Sequence, residues 1–459
     1  MKSWQDREAF ARQAAQAAVE TGAPIELTGF AALSGAVCAG RFRLPNGLTI
    51  LLAPDDRAPV FAYQSWFKVG SKDEDPAHTG FAHLFEHLMF KGTKSHASGE
   101  FDREMEKRGT QTNAATWVDW TFYHEALAAL GDNLETVVEY EVDRMRNVVL
   151  DAATFESELE VVKNERRMAV EDSVTGRLNE VLYGLAFREH SYRWPTIGSM
   201  AHLESASLED LVRFYRTYYA PNNAVVVVAG ALEVVPTLTL LARRYGALAA
   251  QPIARPVPPV EPRQAEARAE RLALPVIAPQ VAIGFHCPAQ HDRDFAAVQM
   301  LGEVLAEGDN ARLYRRLVTE EKIATEVEGA LMPFAEPGLY EVFVTLRAGA
   351  DPLRAIALVQ EELDGLAHVS AEEVEKARNG LELAFYESWR SPWGTAENFG
   401  HFEANYGDFE LAVRGHERLL GVRNADLARV AQEVFRATNR SSVVADPEEH
   451  AAAAEECHD

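Results

Sequence analysis

The chain repeats one stretch of sequence that predicts its fold. Residues 210–228 read DLVRFYRTYYAPNNAVVVV, and residues 426–444 read DLARVAQEVFRATNRSSVV. In both stretches a helical pattern leads through an asparagine, Asn223 or Asn439, into an apolar strand pattern, and each matched position lies 216 residues after its counterpart. This recurrence at one offset predicts two copies of one structural unit.

The same offset extends the repeat toward the start of the chain. It aligns residues 60–64 with 276–280, and Lys91-Gly92 with Glu307-Gly308, without a gap between them. Each copy reads as a strand, a helix, further strands and helices, and then the helix and strand quoted above. The pattern predicts an α+β fold of two homologous halves, each a mainly antiparallel sheet packed with helices.

Proline marks the division between the copies. Five prolines fall within residues 251–263, where they exclude both a helix interior and a central strand. Alanine-rich, helix-friendly sequence at residues 8–18 precedes the repeat. The predicted organisation is a helical extension at 1–27, a first half at 28–248, a linker at 249–270 and a second half at 271–459.

Composition narrows the class of protein. The 459 residues exceed what one hydrophobic core usually holds, and 47% are hydrophobic, as in ordinary globular proteins. The 45 basic and 70 acidic residues give a net charge of −25, which repels phosphate backbones and anionic lipid. We therefore expect neither a nucleic-acid nor a membrane partner. The charge favours solubility or, as a second hypothesis, attraction of basic peptides.

Cysteine usage and the N-terminus bear on metal binding and compartment. Cys38, Cys287 and Cys457 are few and widely spaced, so they predict neither a disulfide framework nor a thiolate metal site. Any metal must then bind His, Asp or Glu. No apolar stretch of signal-peptide length opens the sequence. This favours a cytoplasmic location, with a periplasmic one as the alternative if a signal peptide has been removed.

One predicted helix is apolar in both copies, but its polar positions differ in chemistry. Residues 81–90, FAHLFEHLMF, align with the equally apolar residues 297–306, AVQMLGEVLA, so both predict a helix with the same packing role. The polar positions are His83, Glu86 and His87 in the first copy, and Gln299, Gly302 and Glu303 in the second. The first copy alone carries chemistry here.

The spacing of these polar residues points to zinc. His83 and His87 are four residues apart, which places both rings on one helix face within reach of one tetrahedral ion. Glu86 lies beside them and can take a proton from a water that zinc acidifies to a pKa of about 7. The order His-x-x-Glu-His is the inverse of the commoner zinc-protease motif. The alternative is a solvated surface cluster, but the apolar flanks make three ionisable groups costly without a metal.

A third ligand is expected from a helix predicted over residues 155–170. Glu158 and Glu165 are seven residues apart and therefore lie on one face, at the edge of an apolar stripe. That arrangement suits one metal ligand and one carboxylate that orients a histidine. Two solvated glutamates on a charged helix would have the same spacing, so the spacing alone leaves both interpretations open.

Several motifs together resemble a known family. They are NGL (46–48), GFAHLFEHLMFKGT (80–93), TNAAT (112–116), ELEVVKNE (158–165) and HSYRWPTIG (190–198). Nearly the whole chain resembles the inverzincin zinc peptidases of the pitrilysin family, and it is similar to mitochondrial processing peptidase and its short bacterial relatives. The resemblance implies a peptidase whose two halves close like a clamshell around an unfolded peptide.

The resemblance also assigns roles by position. It implies that His83, His87 and Glu165 bind one Zn²⁺ per chain, that Glu86 is the general base, and that Glu158 is a second catalytic carboxylate acting behind the ligands. The family binds substrate as an added β-strand, which here implies Asn113, Ala114, Ala115 and Thr116 within the alternating run 112–123. An ordinary half-buried strand would show the same alternation.

The second half departs from the family pattern at two positions. Members that act alone carry an Arg and, seven residues later, a Tyr that steadies the developing oxyanion, whereas this chain has Val318 and Thr325. The hypothesis is a heterodimer in which a homologous subunit without zinc supplies that pair across a closed chamber. In the alternative, nearby side chains compensate, the candidates being Arg312, Tyr314, Arg315 and Arg316.

The sequence thus predicts the zinc-bearing subunit of a metalloendopeptidase that hydrolyses unfolded peptides or small proteins. Two other classes stay open. One is a structural or assembly subunit, like the peptidase relatives that form core proteins of a respiratory complex. The other is a peptide-binding module without turnover.

Overall fold

The chain folds into two compact units, each an α+β structure. The computed structural model describes residues 6–33, 37–110, 112–255 and 257–448. Residues 1–163, 196–257 and 386–414 belong to the first unit, and residues 164–195, 258–385 and 415–459 to the second. Cys457 lies outside the described residues. The predicted α+β class with two homologous halves is confirmed.

The first unit is built on a seven-stranded sheet with the order β1-β2-β3-β7-β4-β6-β5. Only the contact between β3 and β7 is parallel among its described strands. The strands are β1 Glu26–Leu33, β2 Val37–Arg43, β3 Thr49–Pro54, β4 Val60–Phe67, β5 Thr112–Thr116, β6 Thr121–Ala128 and β7 Ala224–Gly230. The sheet is mainly antiparallel, as predicted.

Helices cover this sheet, and those other than the helix at residues 392–406 bury apolar residues in one core. The predicted N-terminal helix is present as α1. The helices of this unit are α1 Arg7–Thr21, α2 Phe81–Leu88, α3 Glu100–Lys107, α4 Asn133–Asn147, α5 Ala152–Arg166, α7 Met200–Ser205, α8 Leu208–Tyr218, α9 Val234–Tyr245 and α14 Pro392–Tyr406. Helix α5 starts in the first unit and runs without interruption into the first residues of the second, where a π-helical turn, Arg167–Glu171, follows it.

The second unit has a five-stranded sheet with the order β10-β11-β9-β12-β8. Among its described strands, β12 and β8 pair in parallel and the other neighbours are antiparallel. Its strands are β8 Arg268–Leu274, β9 Gln280–Cys287, β10 Ala324–Leu331, β11 Gly338–Leu346 and β12 Arg440–Pro447. Its helices are α6 Val174–Ala186, α10 Phe295–Ala306, α11 Arg312–Tyr314, α12 Pro352–Gly365, α13 Ala371–Ser388, α15 Leu411–Leu420 and α16 Asn424–Val434. The last three residues of α13 and the first four of α15 belong to the first unit. None of the helices in the described ranges is long and apolar enough to cross a lipid bilayer.

Strand pairing corrects the predicted repeat at one place. Trp66 pairs with Val225 in the first sheet, and Gly284 pairs with Ser441 in the second. Because Val225 and Ser441 are 216 residues apart, Trp66 corresponds to Gly284, at an offset of 218. The gapless alignment of residues 60–64 with 276–280 is therefore wrong by two residues. A shift of two keeps each side chain on the same face of the sheet, so the alternating pattern could not reveal it.

Each sheet is also packed by a helix from the other half of the sequence. Helix α14 lies against β4 and β7 in the first unit, and α6 lies against β8, β9 and β12 in the second. The two helices begin alike, since Ser173 Oγ accepts from Gly176 N at 3.1 Å and Ser391 Oγ accepts from Gly394 N at 3.0 Å. The boundaries of the compact units therefore differ from those of the sequence halves at 28–248 and 271–459. The two halves describe the predicted sequence repeat, and their boundaries stay a prediction.

Arg144, Glu125 and Glu141 form a buried ion cluster close to the end of helix α2. The Arg144 guanidinium donates to Glu125 at 3.0 Å and to Glu141, and all three side chains are almost fully buried. Burial and the nearby Glu141 charge raise the pKa of Glu125. The guanidinium also faces the ring of Phe90, just past α2, at 5.5 Å, and the ring of Tyr123 at 4.8 Å. The cluster joins β6 and α4 to the end of α2.

Substituting Gly400 tests the packing of α14. An alanine methyl group there would lie 2.2 Å from Nε1 of the buried Trp66. We expect Gly400→Ala to lower the free energy of unfolding by about 1–3 kcal/mol, measured by urea denaturation. The control is Gly415→Ala in α15, where nothing lies within 4 Å and alanine should stabilise the helix by up to about 1 kcal/mol. Equal stability of the two variants would contradict the packing.

The pH dependence of stability should report His401 of α14. Its ring lies 6.4 Å from those of Trp66 and Trp120, and burial lowers its pKa from 6.5 to about 4, although the Asp119 charge raises it. The folded state therefore binds this proton less readily than the unfolded chain. The contribution of the neutral ring to the free energy of unfolding is complete above pH 6.5 and is lost as the pH falls toward about 4. At about pH 5 the loss amounts to about 2 kcal/mol.

The test compares His401→Phe with the unsubstituted chain by urea denaturation near neutral pH and near pH 5. Phenylalanine keeps a ring in place and does not titrate. We expect the loss of unfolding free energy on acidification to be about 2 kcal/mol smaller in the variant. An identical loss in both proteins would show that His401 does not titrate as described.

Candidate metal centre

Helix α2 is held in place by its apolar face and by its first turn. Glu74 accepts from Gly80 N at 2.8 Å and from Ala82 N at 2.7 Å. Burial raises the pKa of Glu74 to about 8, while these two N–H groups act in the opposite direction. Gly80 has φ 99°, and a Cβ there would lie 2.7 Å from the carbonyl oxygen of Ile197, so only glycine fits the turn into the helix.

The two copies pack this helix in the same way. Buried and partly exposed positions follow the same order in residues 81–90 and in residues 297–306 of α10, so the offset of 216 holds here residue by residue. The partly exposed positions include His83, Glu86 and His87 in α2, and Gln299, Gly302 and Glu303 in α10. The core therefore does not require the histidines or the glutamate of α2.

Three predicted ligands converge. One nitrogen each of His83 and His87 and one carboxylate oxygen of Glu165 all lie within 4.8 Å of one another, and they form the one such His/Cys/Asp/Glu group found in the described part of the chain. Glu165 reaches the histidines from the last turn of α5. Two imidazoles and one carboxylate are a donor set of catalytic zinc sites, which keep a fourth position for water. The residues present thus fit a zinc ion.

Glu86 contacts the predicted substrate strand. The Thr116 hydroxyl, at the end of β5, donates a hydrogen bond to Glu86 Oε2. Strand β5 is the outermost strand of its sheet, next to β6. A sheet edge offers unpaired backbone groups to an extended peptide. The arrangement brings a proton acceptor and a peptide-binding edge into contact.

The run 112–123 is not one strand. It folds into a hairpin of β5 and β6 in which Trp117 N donates to Trp120 O at 2.8 Å. Asn113, Ala114, Ala115 and Thr116 all lie in β5, and Asn113 Oδ1 accepts from Ala114 N at 2.9 Å. The predicted strand 113–116 is thus at a sheet edge, whereas its role in substrate binding stays a prediction.

Glu158 lies behind the ligands. Its Oε2 is 3.9 Å from His87 Nδ1, and its Oε1 accepts from Lys91 Nζ at 2.8 Å. The carboxylate is therefore close enough to orient His87 with a small adjustment. Sequence reasoning named Glu158 but missed Lys91. No local pattern indicates this contact, because Lys91 lies past the end of α2 and Glu158 lies on α5.

The second unit uses its own arginines in ion pairs. Arg312 binds Glu373 through two contacts of 2.7 and 2.9 Å. Arg316 lies 3.1 Å from Glu321, and Arg315 lies 3.4 Å from Glu320. Val318 lies in the π-helical segment Arg315–Glu320, and Thr325, on β10, donates to Thr345 O at 3.2 Å.

Proteases are among the known proteins that this chain resembles in fold and sequence. A solved protease from Helicobacter pylori matches with a TM-score of 0.84 at 27% identity, covering 89% of this chain and 99% of the other. The zinc protease PqqE of Helicobacter pylori is 28% identical over 88% of this chain and 92% of its own length. The probable mitochondrial-processing peptidase subunit beta of Arabidopsis thaliana is 24% identical over 85% and 75%.

Two family models match consecutive parts of the chain. The insulinase model of peptidase family M16 matches residues 49–199, and the model described as the peptidase M16 inactive domain matches residues 205–381. The chain belongs to peptidase family M16 and is homologous to zinc proteases. His83, Glu86, His87, Glu158 and Glu165 all fall in the range of the insulinase model, and none falls in that of the inactive domain.

Proposed function

We propose that this chain is a zinc metalloendopeptidase subunit that hydrolyses peptide bonds of unfolded peptides or small proteins. The observation that carries the proposal is the convergence of His83 and His87 of α2 with Glu165 of α5, next to Glu86. The second copy of α2 has the same order of buried and partly exposed positions without the histidines or Glu86. The fold does not need the two histidines and Glu86, and together with Glu165 they provide the donor set of a zinc site. A catalytic role explains their presence best.

In this proposal His83, His87 and Glu165 hold the zinc. Bound zinc supplies a Lewis acid that polarises the scissile carbonyl and acidifies the attacking water. Glu86 accepts the proton of that water and then delivers it to the leaving amine. Thr116 holds the Glu86 carboxylate, and the edge of β5 binds the peptide backbone. Main-chain binding favours extended substrates of varied sequence.

Replacing Glu86 tests the proposed reaction. We expect Glu86→Gln to lower the rate of peptide cleavage by about 10³-fold or more while the purified protein keeps about one zinc per chain, because the amide cannot accept the proton. Zinc content is measured by elemental analysis and cleavage with a quenched fluorescent peptide. Chelation of the metal should abolish cleavage by the unsubstituted chain, and added Zn²⁺ should restore it.

The matched control is Glu160→Gln on α5, where Glu160 pairs with Lys163 at 2.9 Å on the exposed side. It should cleave as the unsubstituted chain does. Full cleavage by the Glu86 variant would refute the assigned base. A chain that binds zinc without cleaving peptide in any complex would instead support the structural or peptide-binding classes.

We further propose that a homologous subunit without zinc completes the active enzyme. Val318 has no hydrogen-bond donor and Thr325 is short, while Arg312, Arg315 and Arg316 have glutamate partners in the second unit. The ion pairs of Arg312 and Arg316 support supply of the Arg and Tyr from a partner over compensation by these two side chains.

Native isolation and a paired substitution test the partner. We expect the isolated, zinc-loaded chain to cleave peptide more slowly than the complex obtained from its source. The double variant Val318→Arg/Thr325→Tyr should raise the activity of the isolated chain by about 10-fold or more, because it restores an oxyanion donor. Val318→Arg/Thr325→Phe, without the hydroxyl group, is the control. Equal activity of the isolated chain and the complex would overturn the heterodimer.

A further inference from the structure

Lys91 contacts Glu158, the carboxylate that faces the proposed ligand His87. Its Nζ lies 2.8 Å from Glu158 Oε1, and the other oxygen of Glu158 lies 3.9 Å from His87 Nδ1. The Glu158 side chain is 10% exposed, so its charge has little access to water. The lysine is the cation that stabilises this carboxylate in place.

Comparison of the two copies indicates that Lys91 has a role at the site and is not required for folding. Residues 81–90 and 297–306 pack identically, and the next position is Lys91 in one copy and Glu307 in the other. Glu307 directly follows α10 and Lys91 lies three residues after the end of α2, so the second copy carries the opposite charge at the matched position of the repeat. The lysine occurs in the copy that also carries His83, Glu86 and His87.

We propose that Lys91 is a positioning residue that holds Glu158 against His87 and thereby increases zinc affinity. This inference rests on the zinc binding included in the proposed function. With one oxygen fixed by Lys91, the other stays directed at Nδ1 of His87, which leaves Nε2 as the ring nitrogen for the metal. Without the lysine, the carboxylate would turn toward water and His87 would lose its orienting partner.

An opposite effect of Lys91 has to be weighed. A cation near a zinc site repels the ion, so its removal could by itself raise affinity. The ion pair with Glu158 cancels most of that repulsion, because at a distance the pair acts as a dipole and not as a charge. Loss of orientation should therefore dominate, and carboxylates behind metal ligands typically change metal affinity by about 10- to 100-fold.

The experiment measures zinc dissociation constants by competition with a chromophoric chelator, using the full chain and confirming folding by thermal denaturation. We expect Lys91→Met to weaken zinc binding about 10-fold, and Lys91→Arg to stay within about 3-fold of the unsubstituted chain because it keeps the cation. Lys163→Met is the matched control, since Lys163 of α5 pairs with Glu160 at 2.9 Å and should leave zinc binding unchanged.

A double-mutant cycle identifies the path of the effect. If Lys91 acts through Glu158, Lys91→Met should change zinc affinity little in a Glu158→Gln background. The visible spectrum of the cobalt(II)-substituted protein should also change in Lys91→Met and not in Lys163→Met, because it reports ligand geometry. A purely structural role would lower the melting temperature without changing affinity or spectrum.

Three outcomes overturn the inference: unchanged or tighter zinc binding in Lys91→Met, full additivity with Glu158→Gln, or a chain that binds no zinc. The proposed function fails separately, because a chain that binds zinc with the expected Lys91 effect but never cleaves peptide refutes the peptidase and leaves the positioning role intact.

Discussion

The burial of one face of α2 is the constraint on which the site depends. Leu84, Phe85 and Leu88 are fully buried in the core of the first unit, and the turn before the helix is closed by Gly80 and Glu74. Once that face is buried, the helical period leaves His83, Glu86 and His87 partly exposed together. The same burial pattern in α10, with other polar residues, separates what packing requires from what chemistry requires.

Parts of the site come from elements far apart in the sequence. Helix α2 carries His83, Glu86 and His87, α5 carries Glu158 and Glu165, and β5 carries Thr116. Such a distribution is common where rigid elements position reactive groups. The buried Arg144 cluster next to Phe90 adds to this rigidity, since removing either partner from a buried ion pair leaves a charge that water cannot reach.

Sequence reasoning succeeded where a period or a spacing carries the information. The i, i+4 spacing predicted that His83 and His87 lie together, and the recurrence of sequence predicted the two α+β halves. Glu158 and Glu165 needed the family resemblance, because glutamates at helical spacing are common on solvated surfaces. Thr116 beside Glu86, and Lys91 beside Glu158, are contacts between separate elements that no local pattern encodes. The sequence pattern also did not reveal that β4 and β9 correspond at an offset of 218 and not 216, because a shift of two residues preserves the alternation of faces.

By itself the sequence determined the repeat, the α+β class, the helix that carries His-x-x-Glu-His and the absence of the same groups in the second copy, because these depend on local periodicity and residue identity. Only the tertiary structure decided that Glu165 meets the two histidines, that β5 is a sheet edge in contact with Glu86, and that α14 and α6 pack on sheets of the opposite sequence half. Those facts depend on which apolar surfaces, far apart in the sequence, pack against each other. Because hydrophobic burial is not directional, the sequence pattern allows each helix or strand several packing partners.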